Sequence, residues 1–133
     1  MMPDIDPTLL HAQKFGETLT TPVFVVDPEG TLLFYNEPAG VVLGRKFDET
    51  GSMPASTWSR LFLPTDESGV PLLPEQLPLI IALQEHRPAY GRIWVRGIDN
   101  VQRAIAISAF PITNEKQDVV GAVAFFWEVE KGA

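Results

Sequence analysis

Cysteine is absent from the 133 residues. Its absence excludes disulfides, thiolate zinc sites, cysteine nucleophiles and cysteinyl flavin adducts, and it suits a reducing compartment. Histidine occurs twice, as His11 and His86. Neither has a neighbouring acid on one predicted face, so an acid–base pair built on imidazole is not expected. Positive charge is scarce: 10 Lys+Arg against 17 Asp+Glu leave a formal net charge of −7. That balance argues against nucleic-acid or anionic-membrane binding, which draws its affinity from neutralised phosphates. No window approaches the roughly 20 apolar residues that a bilayer span needs. Residues 1–6 are acidic where a signal peptide would be basic, so the chain is read as cytoplasmic, with no membrane insertion.

What is present is ordinary globular composition, 45% hydrophobic and 20% charged, in a length that makes one domain and buries enough surface to fold without a staple. Glycine and proline mark the element ends, and all 12 prolines can be placed outside strand interiors. Asp6-Pro7 reads as an N-cap followed by proline at the first helical position, and Leu9, Leu10, Ala12, Gln13 and Phe15 continue as an apolar helical stripe. Val23 to Val26, the turn Asp27-Pro28-Glu29-Gly30 and residues 31–36 read as a β-hairpin. Asn36 then hands the chain to a short helix that Gly44 closes. Residues 45–74 are expected to be loops and short helices, with two helical turns over residues 55–62.

Residues 75–86 carry a wide apolar helical face with Pro78 near its start, and Arg87-Pro88 ends it. Three strand-like runs follow, over residues 89–96, 101–110 and 119–129, separated by turn residues. Helix, two strands, a helical middle and three long strands make an α+β domain with a single sheet, not a βαβ repeat.

Four segments in this order are similar to the PAS family of sensory domains, over about residues 21–129. They are Pro22 to Gly30 with Asn36-Glu37-Pro38-Ala39; Gly69-Val70-Pro71-Leu72 with Leu77-Pro78-Leu79; Ser108-Ala109-Phe110-Pro111-Ile112; and Val119-Val120-Gly121-Ala122-Val123. The resemblance implies the PAS fold, a five-stranded antiparallel sheet of order 2-1-5-4-3. Helices would pack on one face around a ligand-sized cavity. An N-terminal flanking helix would occupy residues 1–20 and the PAS domain residues 21–130. Aligning Pro111 and Glu128 with the family implies that Ile93, Val95, Arg103, Ile105, Ile107, Ala109, Val120, Ala122, Ala124 and Phe126 face the helices, joined by Phe24 and Val26. All of these except Ala109 are the candidate ligand-binding residues. Arg103, the one charge among them, would either grip an anionic group or reach out to water.

No cofactor is assigned. The missing cysteine excludes photoactive flavin adducts and the coumaroyl chromophore. Haem is disfavoured because His11 lies outside the resembling region and His86 ends a helix. Non-covalent flavin is disfavoured because the inward wall lacks polar groups for the ring edge. The wall suits either a small, mainly apolar ligand or a filled core.

The opposite face gathers Trp94, Phe110, Phe125 and Trp127, which with Leu9, Leu10 and Phe15 form the expected homodimer interface. Arg87, Arg92, Arg96 and Arg103 either dock an acidic segment or keep a strand edge solvated. Where many family members end in Asp-Ile-Thr, this chain has Glu128-Val129-Glu130. An output partner would therefore be a separate protein or a fused domain. The reading is a non-enzymatic sensory module with a small apolar ligand. The alternative is a ligand-free homodimerisation or docking module. An enzyme is disfavoured because no carboxylate precedes Glu128 on the inward register.

Overall fold

The computed structural model describes residues 6–129. Residues 1–5 of the expected flanking segment and Glu130 of the expected junction lie outside them. Helix α1 (Pro7–Glu17) begins where the Asp6 carboxylate accepts the Thr8 N–H at 2.8 Å, and Pro7 fills the first-turn position that has no need of an N–H. The same backbone hydrogen bond holds the Asp6 carboxyl below its ordinary range.

Strands β1 (Val23–Val26) and β2 (Leu32–Tyr35) form the expected hairpin. Its turn is closed by Asp27 Oδ1, which accepts the N–H groups of Glu29 and Thr31, both at 2.9 Å. Helix α2 (Glu37–Leu43) ends at Gly44 with φ 85°. A Cβ there would also lie 2.6 Å from the Asp99 amide nitrogen, so glycine serves both the left-handed cap and a close approach. Two short helices, α3 (Phe47–Thr50) and α4 (Ala55–Leu61), occupy the irregular middle.

The expected helix over residues 75–86 is divided. A 3-10 turn at Pro74–Gln76 precedes helix α5 (Pro78–Glu85), because proline is tolerated in the first turn of a helix and not within it. Strands β3 (Ala89–Arg96), β4 (Gln102–Thr113) and β5 (Val119–Glu128) complete an antiparallel sheet of order β2-β1-β5-β4-β3. Pro111 lies inside β4, against the expectation that every proline avoids a strand interior. The sheet tolerates it because β3 ends opposite Ala109, so β4 has one neighbour beyond that point and an open side where a missing N–H breaks no ladder.

Apolar side chains leave the sheet on both faces. Phe24, Val26, Ile93, Val95, Ile105, Ala124 and Phe126 join Leu43, Trp58, Leu79 and Leu83 in the larger core under α2, α4 and α5. Val23, Val25, Ile112 and Val123 form a second core with Leu9 of α1. Val120, expected on the helix side, belongs to this second core. The β4–β5 register shifts between Ile112 and Thr113, and one extra residue in β5 reverses the alternation below Gly121. Val119 takes the inward place instead. Gly121 makes room for the α1 seat, since a Cβ there would fall 2.7 Å from a Leu9 methyl.

Asn36, 3% exposed, ties the halves of this arrangement together. Its Oδ1 accepts the N–H of Val23 at 3.0 Å and of Ala39 at 3.1 Å. Its Nδ2 donates to the carbonyls of Gly16 at 3.0 Å and Thr21 at 2.8 Å. One amide thus caps α2, starts β1 and holds the end of α1, and aspartate would lose both donated bonds. Asn36→Ala is expected to destabilise the protein by about 3 kcal/mol by leaving buried backbone groups unpaired, lowering Tm by about 10 °C in thermal denaturation. An unchanged Tm would show that the amide does not hold these segments.

Candidate functional site

The larger core is incompletely filled. Between the sheet and helices α4 and α5 lies a cavity of about 70 Å³. Its floor is the sheet: Phe24 from β1, Ile93 and Val95 from β3, Ile105 and Ile107 from β4, Ala124 and Phe126 from β5. These were all expected to face a ligand, and strand alternation brings them together. The expected Val26 and Ala122 are buried in the same core without reaching the cavity, and Val120 is on the other face of the sheet.

The roof consists of residues that the strand pattern did not identify. Trp58, Ser59 and Phe62 come from α4 and the residue after it, and Leu77, Pro78 and Leu79 from the start of α5. Trp58 is fixed twice. Its Nε1 donates to the Gly30 carbonyl at 2.8 Å, and its ring meets Phe24 edge to face at 5.2 Å. Ser59 is 4% exposed, and its hydroxyl has no hydrogen-bond partner among the described residues. The i, i+4 pair Trp58 and Phe62 was the available signal that α4 turns a face inward.

Arg103, expected either to grip an anionic group or to reach out to water, does not line the cavity. Its side chain leaves the cavity and closes a cluster at the end of the sheet, because ion-pair partners lie within reach on the neighbouring turn and strand. Nη1 donates to the Val42 carbonyl at 2.8 Å, Nη2 meets Asp99 Oδ2 at 3.0 Å and Nε lies 3.5 Å from Glu128 Oε1. Nearby, the Ile98 N–H donates to the Leu43 carbonyl at 2.8 Å. Arg103 therefore ties α2, the β3–β4 turn and the end of β5 together. Its hydrogen bond holds the Asp99 carboxyl below the usual carboxylate range. The histidines lie away from the cavity: His11 is exposed on α1, and His86 is exposed at the left-handed end of α5.

The opposite sheet face is covered at one end only. Leu9, expected at a dimer interface, is buried against the chain's own sheet, because it sits on the side of α1 that Gly121 admits. Leu10 and Phe15 of α1 are exposed. Phe110 and Phe125 stack at 5.6 Å and are part-buried beside α1. Further along, Trp127 is 42% and Tyr90 63% exposed. Ala104 and Ala106, paired across the strands with Trp94 and Trp127, are buried. The other arginines of the basic stretch stay outside: Arg92 and Arg96 are exposed on β3, and Arg87 pairs with Glu85 at 3.0 Å.

No protein-family model and no curated protein matches this sequence. Solved structures do match in fold. The chain is similar to the PAS domain of the fruit-fly ELK potassium channel, with TM-score 0.72, 12% identity and coverage of 93% of this chain and 98% of that one. A Rhodobacter sphaeroides LOV protein gives TM-score 0.72 at 11% identity, over 96% of this chain and 71% of that one. The PAS domain of Bordetella pertussis BvgS gives 0.61 at 15% identity, over 93% and 87%. Among the described residues no helix is long and apolar enough to cross a membrane.

The Arg103 cluster has a pH signature. Because the folded state depresses the Asp99 pKa, the stabilisation is present above the ordinary value of 3.8 and is lost as pH falls through the lower folded value. The Asp99 carboxyl carbon, followed by NMR, should titrate below 3.8 in the wild type and move up towards 3.8 in Arg103→Ala. Identical titrations would show that the guanidinium does not act on it.

Proposed function

Because the chain has the PAS fold, we propose that it is a sensory module of signal transduction whose core cavity takes a small, mainly apolar ligand. The module has no catalytic role of its own. The observation that carries this reading is the unfilled space between sheet and helices, walled almost wholly by carbon. Its size decides the ligand class. An apolar cavity of roughly 150 Å³ admits a benzene-sized guest, and this one has about half that volume. A guest of a few heavy atoms matches that volume. The LOV proteins in the same fold include one studied with a flavin analogue, but a flavin here would meet a wall that is almost wholly carbon and a chain with no cysteine.

In this reading a guest displaces α4 and α5 relative to the sheet, and the sheet passes the change to its outer face. We assign residues 1–20 to the flanking segment that carries α1 and residues 21–130 to the sensory unit, and we place the protein in the cytoplasm. The exposed Tyr90 and Trp127 favour a second element of the proposal, a homodimer formed through the outer sheet face with Trp94, Phe110 and Phe125, completed by Leu10 and Phe15. A ligand-free docking module, acting on a separate output protein or a fused domain, would use that face alone.

Native mass spectrometry beside the denatured mass tests both elements. A dimer carrying extra mass that is lost on denaturation is expected; a ligand-free dimer would favour the docking module, and a monomer would remove the dimer. Ala124→Val, which places two carbons in existing space, should abolish the extra mass while changing stability by about 1 kcal/mol. Trp127→Arg should dissociate the dimer, weakening association by about 2 kcal/mol or more, and leave the ligand on the monomer.

A further inference from the structure

The roof helix α4 belongs to a segment that is fastened to both edges of the sheet. At the β2 edge Leu32 and Met53 exchange two backbone hydrogen bonds: the Leu32 N–H donates to the Met53 carbonyl at 2.7 Å, and the Met53 N–H to the Leu32 carbonyl at 3.3 Å. The Ser52 hydroxyl also donates to the Leu32 carbonyl, at 2.8 Å. At the β3 edge the Thr65 N–H donates to the Trp94 carbonyl at 2.8 Å and the Trp94 N–H to the Thr65 carbonyl at 3.0 Å. The Arg96 N–H donates to the Phe62 carbonyl at 2.8 Å. Because β2 and β3 are the outermost strands, residues 53–65 cross the whole helix-side face, over the cavity that Trp58 and Phe62 line.

The crossing has little slack. Helix α4 takes up Ala55–Leu61, and a helix does not lengthen without breaking its hydrogen bonds. Before it, only Pro54 separates the helix from the Met53 anchor; after it, only Phe62, Leu63 and Pro64 separate it from Thr65. Both prolines have a fixed φ. Leu63 has φ 45°, an uncommon conformation for a bulky side chain. Such a conformation persists where the surroundings impose it, here the anchored Phe62 and Thr65 on either side.

We propose that residues 53–65 form a strap that couples the cavity to the outer sheet face through Trp94 and Arg96. A guest beneath α4 bears on Trp58 and Phe62, and a strap that cannot lengthen passes the displacement to its anchors. At the β3 edge the anchors are the backbones of Trp94 and Arg96. Their side chains alternate with the inward Ile93 and Val95 and so leave the strand on the outer face. The use of the strap in signalling rests on the cavity being a ligand site; the link between the two edges does not.

Hydrogen exchange of the full chain tests the link without a ligand. Thr65→Pro removes the N–H that donates to the Trp94 carbonyl. If the strap opens as a unit, the Leu32 and Met53 amides at the opposite edge should exchange about fivefold faster, with the β4–β5 ladder unchanged. Coupling is reciprocal, so Ser52→Ala at the β2 edge should speed the Thr65 and Arg96 amides, and it serves alone if the proline variant does not fold. Far-edge amides that are unchanged, or that quicken only in step with the β4–β5 ladder, would overturn the strap. Titration of isobutene into the 15N-labelled protein then tests its use. In the wild type the cavity amides and the Trp94 indole should both shift; in the anchor variant the indole shift should shrink while the cavity shifts persist. An equal indole shift in both proteins would overturn the route through the strap. Absence of any cavity shift would overturn the ligand reading and the signalling use with it, whereas the strap itself stands or falls on the exchange result.

Discussion

A single buried carboxamide organises the fold. Asn36 accepts two backbone N–H groups and donates to two carbonyls, so it uses both ends of the only type of neutral side chain, Asn or Gln, that has two acceptor and two donor sites. The segments it joins are distant in sequence: the end of α1, the start of β1 and the start of α2. Once α2 is placed, Leu43 and Gly44 receive the β3–β4 turn, and Val42 gives Arg103 a carbonyl. The far corner of the sheet therefore depends on a cap at the near one. Burial makes the arrangement demanding, since the N–H groups of Val23 and Ala39 and the Gly16 carbonyl are buried and have no water to replace the amide.

The sheet has two different faces, and the difference is chemical as well as topological. On the helix side the chain covers itself almost completely, yet leaves a small space beneath α4 and α5 where Ala124 presents a methyl group. On the other side α1 covers only the end near β1, and aromatic side chains remain partly in water. Charge is kept out of the helix-side core, whereas Arg92 and Arg96 stand exposed on the outer face of β3 beside Trp94. The one arginine whose strand parity pointed inward swings out to two carboxylates and a carbonyl, as expected for a group whose burial without partners would be costly. The result is a carbon-lined core and an outer face that the chain leaves partly uncovered.

The strands were legible because alternation is a local signal. Phe24, Ile93, Val95, Ile105, Ile107, Ala124 and Phe126 reach the cavity as their parity implied. Parity failed at Val120, where an irregularity in the β4–β5 pairing inserts one residue and exchanges the faces. A bulge of that kind depends on the partner strand and on Leu9 needing room above Gly121, and neither is visible in residues 119–123 alone. Pro111 misled for a related reason. A proline's effect depends on whether the adjoining strand is present, and β3 stops just short of it. The helical roof was less legible still. Two helical turns over residues 55–62 were expected, but a helix of that length says little about which face is buried until a sheet lies beneath it.

What the sequence by itself determined was the set and order of elements and the antiparallel character of the sheet, which follow from turn residues, caps and alternation acting over a few neighbours. Which face of the sheet turns inward was implied by the resemblance to the PAS family. The absence of cysteine also determined which chemistry the site lacks. Only the tertiary structure decided that Arg103 is engaged by Val42, Asp99 and Glu128 away from the cavity, that Leu9 belongs to the chain's own core, and that the Ser59 hydroxyl is buried without a partner among the described residues. The physical reason is the same in each case. A side chain's role is set by the groups that reach it in space, and here those groups come from segments that only the folded sheet and its helices bring within a few ångströms.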